Sequence, residues 1–284
     1  MPELPEVETM RRGIEPVVGT TIAAVVRPRC RRRPIEMNPP WPTLRRRLVG
    51  RTITGTGRLG KRVVIEVDTG DRLVIEPRMT GLVLLAEPPT REHLRLVLEL
   101  CGARGRNDAI AHELKFWDRR GLGTVRLVAA DEFEYRYRSG AIGPDALNIS
   151  WQQLRDRLAA SRRAIKVALL DQKTVAGIGN LYASEILHVA GIHPATRCDQ
   201  LDEAAWKAIL AATRKVLKAA IRHEGSTLSD HTYRNALNQA GRYQNHHRVY
   251  DRAGKPCPTC ERPVTRIVQA QRSTFFCASC QRRC

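Results

Sequence analysis

Two Cys-x-x-Cys pairs, Cys257-Pro-Thr-Cys260 and Cys277-Ala-Ser-Cys280, stand sixteen residues apart near the end of the chain. No other feature restricts the fold as much. Each pair bends the backbone into a tight knuckle, and two knuckles at this separation bring four thiolates to one tetrahedral ion, with the chain between them returning as a hairpin. One structural Zn2+ is therefore expected, held by Cys257, Cys260, Cys277 and Cys280; redox-active pairs and unligated thiols are the competing readings. Four thiolates leave no open position on the ion, so the centre holds shape and does no chemistry. Cys30, Cys101 and Cys198 are scattered along the chain. That distribution reads as a reducing cytoplasm rather than a disulfide scaffold.

The second constraint is charge. Lys and Arg exceed Asp and Glu by 19 in a chain of 284 residues. An excess of this size calls for a polyanionic partner, either nucleic acid or an anionic membrane surface. No run of about 18 apolar residues and no signal-peptide pattern is present, and the basic residues are dispersed over folded-looking segments. Nucleic acid is favoured and a membrane role is not. The length gives room for two domains with separate cores.

Leu4, Val7, Met10 and Ile14 recur at helical spacing, predicting a first helix over residues 5–14. From Thr21 to Val128 the pattern turns to short strands. Val63 to Val67 and Leu73 to Glu76 flank Asp68-Thr-Gly-Asp71 as a hairpin, Leu94 to Leu100 alternates, and Gly123 to Val128 closes the run. Repeated short strands between turn signals imply a sandwich or barrel. Composition shifts after Gly140-Ala-Ile-Gly-Pro144. Ser150-Trp-Gln-Gln153 reads as a capping box, and a long helix follows Asp202, with Trp206, Ile209, Leu210, Val216, Leu217 and Ile221 on its apolar stripe.

Three stretches carry candidate chemistry. Removal of Met1, which a small Pro2 permits, exposes a secondary amine with a pKa of about 8. Such an amine adds to aldehydic carbon to give an iminium, an electron sink of the Schiff-base kind, and Glu3 beside it can shuttle a proton. The bland alternative is an ordinary helix start. Gly177-Ile-Gly-Asn180 can bring backbone N–H groups and the Asn180 amide to a phosphate at a helix start, or can be a simple turn. Arg162 and Lys166, just upstream, either touch phosphate or form a solvated face. Between the knuckles, Arg272 stands near the hairpin tip with the Ser273 and Thr274 hydroxyls beside it, a presentation suited to phosphate, while Phe275 and Phe276 pack against the knuckle.

With Pro2-Glu-Leu-Pro-Glu-Val-Glu-Thr9 and Arg11-Arg-Gly-Ile-Glu-Pro16 at the front, Val175-Ala-Gly-Ile-Gly-Asn-Leu-Tyr-Ala-Ser-Glu185 in the middle, and Gln271-Arg-Ser-Thr-Phe275 in the cysteine hairpin, the chain resembles the formamidopyrimidine-DNA glycosylase family over essentially its whole length. Leu4 makes it more similar to the oxidised-purine branch than to the endonuclease VIII branch. The resemblance implies an α+β fold: an N-terminal β-sandwich with a flanking helix, a helix-two-turns-helix domain, and a zinc-finger β-hairpin. The expected boundaries are 1–130 for the catalytic sandwich, 131–149 for a linker, 150–240 for the helical DNA-binding domain and 247–281 for the zinc finger.

The same resemblance implies catalytic roles for Pro2 as nucleophile, Glu3 as acid and base, Lys61 in the first elimination, and Arg272 in phosphate contact and the second elimination. It implies that Met79, Arg120 and Leu122 fill the gap left by an extruded nucleotide, and that Arg91 stands near the place of a DNA-contacting histidine. Asp118-Arg-Arg-Gly-Leu-Gly123 departs from the family's Asp-Pro-Arg-Arg-Phe-Gly, placing Leu122 where an aromatic is usual; Leu can wedge between bases but offers no stacking face. The expected protein is a cytoplasmic, nucleoid-associated monomer acting on damaged double-stranded DNA held in a basic cleft between the domains, removing oxidised purines. An oxidised-pyrimidine glycosylase and a non-catalytic zinc-ribbon DNA-binding protein remain the alternatives.

Overall fold

The computed structural model describes residues 2–102, 112–230 and 232–282. Met1, on whose removal the exposed amine depends, lies outside them. The chain divides into two compact units, Met1–Ser139 with His223–Arg242, and Gly140–Arg222 with Tyr243–Cys284.

The first unit is built on two sheets. One has the order β1-β7-β8-β6, from Thr21–Val26 (β1), Gly81–Leu84 (β6), Leu94–Cys101 (β7) and Glu113–Asp118 (β8). The other runs β2-β9-β5-β4-β3, from Glu36–Asn38 (β2), Ile53–Leu59 (β3), Arg62–Val67 (β4), Arg72–Glu76 (β5) and Thr124–Val128 (β9). Neighbouring strands are antiparallel except β2 and β9. Val63 and Ile65 from one sheet share a core with Leu82, Leu96 and Phe116 from the other. The sandwich expected from the strand pattern is therefore present, and the Asp68–Asp71 hairpin joins β4 to β5 with Gly70 at a φ of 80°. The alternation read in β7 is only partial. Arg95 and Val97 are buried with their neighbours, because Arg95 donates to the Asp118 and Arg33 carbonyls at 2.8 and 2.9 Å and so roofs its face of the strand.

Helix α1, Leu4–Gly13, sits in this core. Leu4, Val7, Met10 and Ile14 have no exposed surface, and burial of each such side chain stabilises by about 1.5–3 kcal/mol. Helices α2 (Trp41–Leu48) and α3 (Ala130–Phe133) complete the unit. The stretch His223–Arg242, read from sequence as the end of the helical domain, packs here instead: Leu85 N donates to Ala236 O at 2.9 Å. A Cβ on Gly13 would meet the Ala236 Cβ at 2.4 Å, so this close approach requires glycine.

The second unit holds α4 (Trp151–Leu158), α5 (Ile165–Leu169), α6 (Asn180–Ala190), α7 (Glu203–Arg222) and the hairpin of β10 (Thr265–Gln269) and β11 (Arg272–Phe276). The predicted capping box closes on α4, with Gln153 N donating to Ser150 Oγ at 3.1 Å and Ser150 N to Gln153 Oε1 at 3.0 Å. Asp202 caps α7 through Ala205 N at 2.7 Å. Among the described residues no helix is long and apolar enough to cross a membrane.

Candidate active site and zinc centre

Pro2 and Glu3 are buried at the head of α1. Their turn is fixed by Glu6, itself only 2% exposed: its Oε2 accepts from Glu3 N at 2.9 Å, and its Oε1 accepts from Ser226 N at 2.9 Å. Glu6 therefore joins the start of the chain to the segment His223–Arg242. Tyr233 reinforces the joint, donating its hydroxyl to Glu224 O at 2.9 Å; burial first, and Glu6 next, hold its phenol well above the usual range. Two residues further along α1, Glu8 accepts from Arg58 on β3 at 3.1 Å, and Arg58 donates to Gly60 O at 3.0 Å. This chain of bonds ties α1 to the turn that carries Lys61, which is half-buried.

Two further turns of the first unit are locked to each other. Met79 is 38% exposed, which argues against core filler, and it follows Arg78, whose φ is 54°. The fully buried Asp118 carboxylate accepts from Thr80 Oγ1, from Arg120 N at 3.2 Å and from Gly123 N at 2.8 Å. Met79, Arg120 and Leu122 are thus presented from neighbouring turns with one carboxylate beneath them. Arg120 is exposed and Leu122 half-buried. Gly121 adopts a φ of 65°, and a Cβ there would lie 2.4 Å from Arg33 O, so no larger side chain fits. Arg91 projects 84% of its side chain into solvent, paired with Glu87 at 3.1 Å.

In the second unit the basic residues divide. Arg162 is exposed. Lys166, read from sequence as one of a basic helical face, has no exposed surface: its ammonium donates to Asn180 Oδ1, to Thr274 Oγ1 at 2.8 Å and to Ser273 O at 3.3 Å. Asn180 Nδ2 also donates to Ser273 O, at 3.0 Å. Lys166 and Asn180 therefore pin the cysteine hairpin to the start of α6. The two hydroxyls expected beside Arg272 are engaged elsewhere, Thr274 with Lys166 and Ser273 with Arg266 at 2.9 Å. Arg272 itself is exposed, next to the tip residues Ala270 and Gln271, whose φ values are 45° and 60°.

The four cysteine sulfurs lie within 4.8 Å of one another. Tetrahedral zinc with bonds of about 2.3 Å sets sulfurs about 3.8 Å apart, and the Cys257–Cys280 and Cys260–Cys277 separations are 3.9 and 3.4 Å. The donor set fits the ion. The Arg262 N–H draws the Cys260 thiol down to about 7, while burial pushes Cys277 and Cys280 up, so a metal entering the site displaces protons. Phe275 packs with Cys257, Cys277, Val249 and Val264 as expected for the knuckle, and Phe276 meets His193 edge-on at 4.7 Å.

Sequence reasoning missed the strap that holds this module. Glu185 on α6 is fully buried, and its oxygens accept from Arg248 N, Val249 N and Tyr250 N at 2.9, 3.0 and 2.8 Å. Burial pushes its carboxyl up, and the three N–H groups pull toward ionisation. The available signal was a carboxylate, the one charged residue in the mostly apolar run Leu181 to Leu187.

Three family models match the chain: the formamidopyrimidine-DNA glycosylase N-terminal domain over residues 1–125, the formamidopyrimidine-DNA glycosylase H2TH domain over 142–232, and the zinc finger found in FPG and IleRS over 254–283. The chain belongs to the formamidopyrimidine-DNA glycosylase family. It is 40% identical to the formamidopyrimidine-DNA glycosylase of Chloroflexus aggregans, covering 99% of this chain and 98% of that one, and 37% identical to the Bacillus subtilis enzyme, covering 99% of each. Among solved structures, Lactococcus lactis Fpg in complex with abasic-site DNA superposes with a TM-score of 0.86 at 31% identity, covering 99% of this chain and 100% of that one. MutM (Fpg) from Thermus thermophilus gives 0.84 at 36% identity, over 99% and 98%.

A formamidopyrimidine-DNA glycosylase is a base-excision repair enzyme, a bifunctional glycosylase and lyase, and this chain has the family's α+β architecture with one structural zinc centre. Bound zinc supplies a closed tetrahedral anchor. The residues around it do the positioning: Glu185 holds the strap before the first knuckle, and Lys166 and Asn180 hold the hairpin.

Proposed function

We propose that the enzyme removes oxidised purines, such as 8-oxoguanine and formamidopyrimidine, from duplex DNA through an imine on Pro2. The observation that carries this reading is the turn of Pro2 and Glu3, buried and held rigid through Glu6 by both Glu3 N and Ser226 N. A fixed nucleophile with a carboxyl beside it suits covalent catalysis, because orientation is set before substrate arrives.

The unprotonated Pro2 nitrogen attacks the sugar C1′. A bond from nitrogen to C1′ forms as the glycosidic bond breaks, and the damaged base leaves, with Glu3 acting as acid and base around the step. The adduct loses its amine proton, and the C1′–O4′ bond then breaks with O4′ taking a proton from Glu3, which opens the sugar to an iminium. The iminium acidifies the neighbouring C2′–H, so the phosphates on C3′ and then C5′ leave by successive eliminations and the nicked strand keeps phosphate ends. Lys61 supports the first elimination, and Arg272 grips phosphate and supports the second. Met79, Arg120 and Leu122 enter the stack as the nucleotide is extruded, while Arg91, Arg162, Lys166 and Asn180 serve the DNA backbone, the last two by setting the hairpin. Binding as a monomer in the bacterial cytoplasm completes the reading.

Leu4 and the Met79–Arg120 pair favour purines. A Lactococcus lactis Fpg mutant has been crystallised with Fapy-dG DNA and the wild-type protein with oxidised pyrimidine DNA, which supports a second reading in which pyrimidines are substrates. Cleavage of 8-oxoguanine and thymine glycol duplexes side by side decides between them. Faster excision of 8-oxoguanine is expected, and a preference for thymine glycol would overturn the purine assignment.

A further inference from the structure

His188, near the end of α6, is 5% exposed and places Nε2 at 3.3 Å from Cys257 Sγ. Its other nitrogen, Nδ1, is buried with no hydrogen-bond partner among the described residues. That asymmetry decides the tautomer. With zinc bound, Cys257 is a thiolate; a lone pair on Nε2 would then be repelled by it, and the proton would be stranded on Nδ1 with no acceptor among the described residues. The proton therefore sits on Nε2 and is donated to sulfur. Cys257 receives a second donor, Thr259 N, at 3.5 Å. Four thiolates around a divalent ion carry two surplus negative charges, and every N–H···S bond withdraws part of that charge from the sulfur it reaches. Beside the centre lies a cavity of about 340 Å3 lined by His188, Lys215, Arg248, Thr259 and Cys280, wide enough for a small electrophile to approach the cluster.

We propose that His188 is an outer-sphere donor of the zinc centre, its Nε2–H bond to Cys257 lowering the nucleophilicity of that thiolate and making it the last of the four to be attacked. The zinc finger is then protected chemically as well as sterically. The ring acts on the ion only through the sulfur, so its role is positional and electronic.

The test uses the full-length, zinc-loaded protein and two variants, His188→Phe, which keeps a flat ring without the N–H, and His188→Gln, which keeps a donor. Each is treated with iodoacetamide while a chromophoric chelator reports zinc release, and peptide mass spectrometry gives the order in which cysteines are labelled. His188→Phe is expected to lose zinc about 10- to 100-fold faster, the usual consequence of removing an outer-sphere partner. Cys257 should move from last to among the first labelled, and His188→Gln should restore much of the protection. Cobalt-substituted His188→Phe should show its sulfur-to-metal charge-transfer bands at lower energy, a shift that loosened packing alone does not produce. Unchanged labelling order and bands in a zinc-replete His188→Phe protein would overturn the proposal. Early labelling of Cys257 in the wild type would do so as well, even where His188→Phe does not fold.

Discussion

The Glu6 carboxylate and the Ser226 backbone N–H, 220 residues apart in sequence, meet at 2.9 Å beneath the first turn of the chain. Both carboxylate oxygens face backbone donors. In Glu6→Gln one oxygen becomes an NH2 group that cannot accept, and a buried N–H is left unsatisfied at a cost of about 1–3 kcal/mol. Thermal melting should register that loss. Because the turn bearing Pro2 loosens with it, kcat should fall by more than KM rises in a lesion-cleavage assay.

Glu185 accepts three backbone N–H groups of the strap that leads into the zinc module. Glu185→Gln again replaces an acceptor by a donor and leaves a buried N–H of the strap unsatisfied. A loss of about 1–3 kcal/mol is expected in urea unfolding, together with faster zinc release to a chelator. Much of this module was legible in the sequence, because ligand spacing is a local property. The strap was not: a glutamate and the N–H groups more than 60 residues downstream leave no shared local pattern.

The metal centre should also respond to pH in a defined direction. With Cys260 drawn down to about 7 and Cys277 and Cys280 pushed up, protons compete with zinc more strongly as pH falls. Apparent zinc affinity, measured by chelator competition between about pH 5 and 8, is expected to weaken steadily toward the acid end. A flat profile would mean that the thiols are already ionised without metal.

Acid should weaken the first unit through Glu8. Burial raises its pKa, but Arg12, Arg11 and Arg58 outweigh that and hold it below the usual value. A carboxyl depressed on folding contributes stability above its unfolded pKa of about 4.3, and loses it as pH falls through the depressed folded value. Glu8→Gln should therefore melt lower than the wild type at neutral pH, and the two curves should converge in acid.

Leu122 tests the departure from the family pattern. The side chain is half-buried on a turn held by Asp118, so Leu122→Phe adds a stacking face at a partly exposed position. Stacking on a base is worth about 1–3 kcal/mol, and lesion-duplex affinity in a titration should rise accordingly, with opposite-base preference shifted. The turn that positions Leu122 was itself hidden from the sequence, since Thr80 and Asp118 become partners only when β6 and β8 pair. The stripe of α1 and the Ser150 cap were readable because helical spacing and capping act within a few residues. Lys166 misled for the converse reason: a lysine near a basic stretch reads as solvated until its three acceptors arrive from α6 and the hairpin.

Catalysis through Pro2 requires a covalent bond between its nitrogen and the sugar. Borohydride reduction during turnover of an 8-oxoguanine duplex, followed by peptide mass spectrometry of the trapped adduct, measures that bond directly. Deoxyribose is expected on the peptide beginning at Pro2, with no adduct from protein that retains Met1. An adduct mapped to a lysine, or none from correctly processed protein, would contradict it.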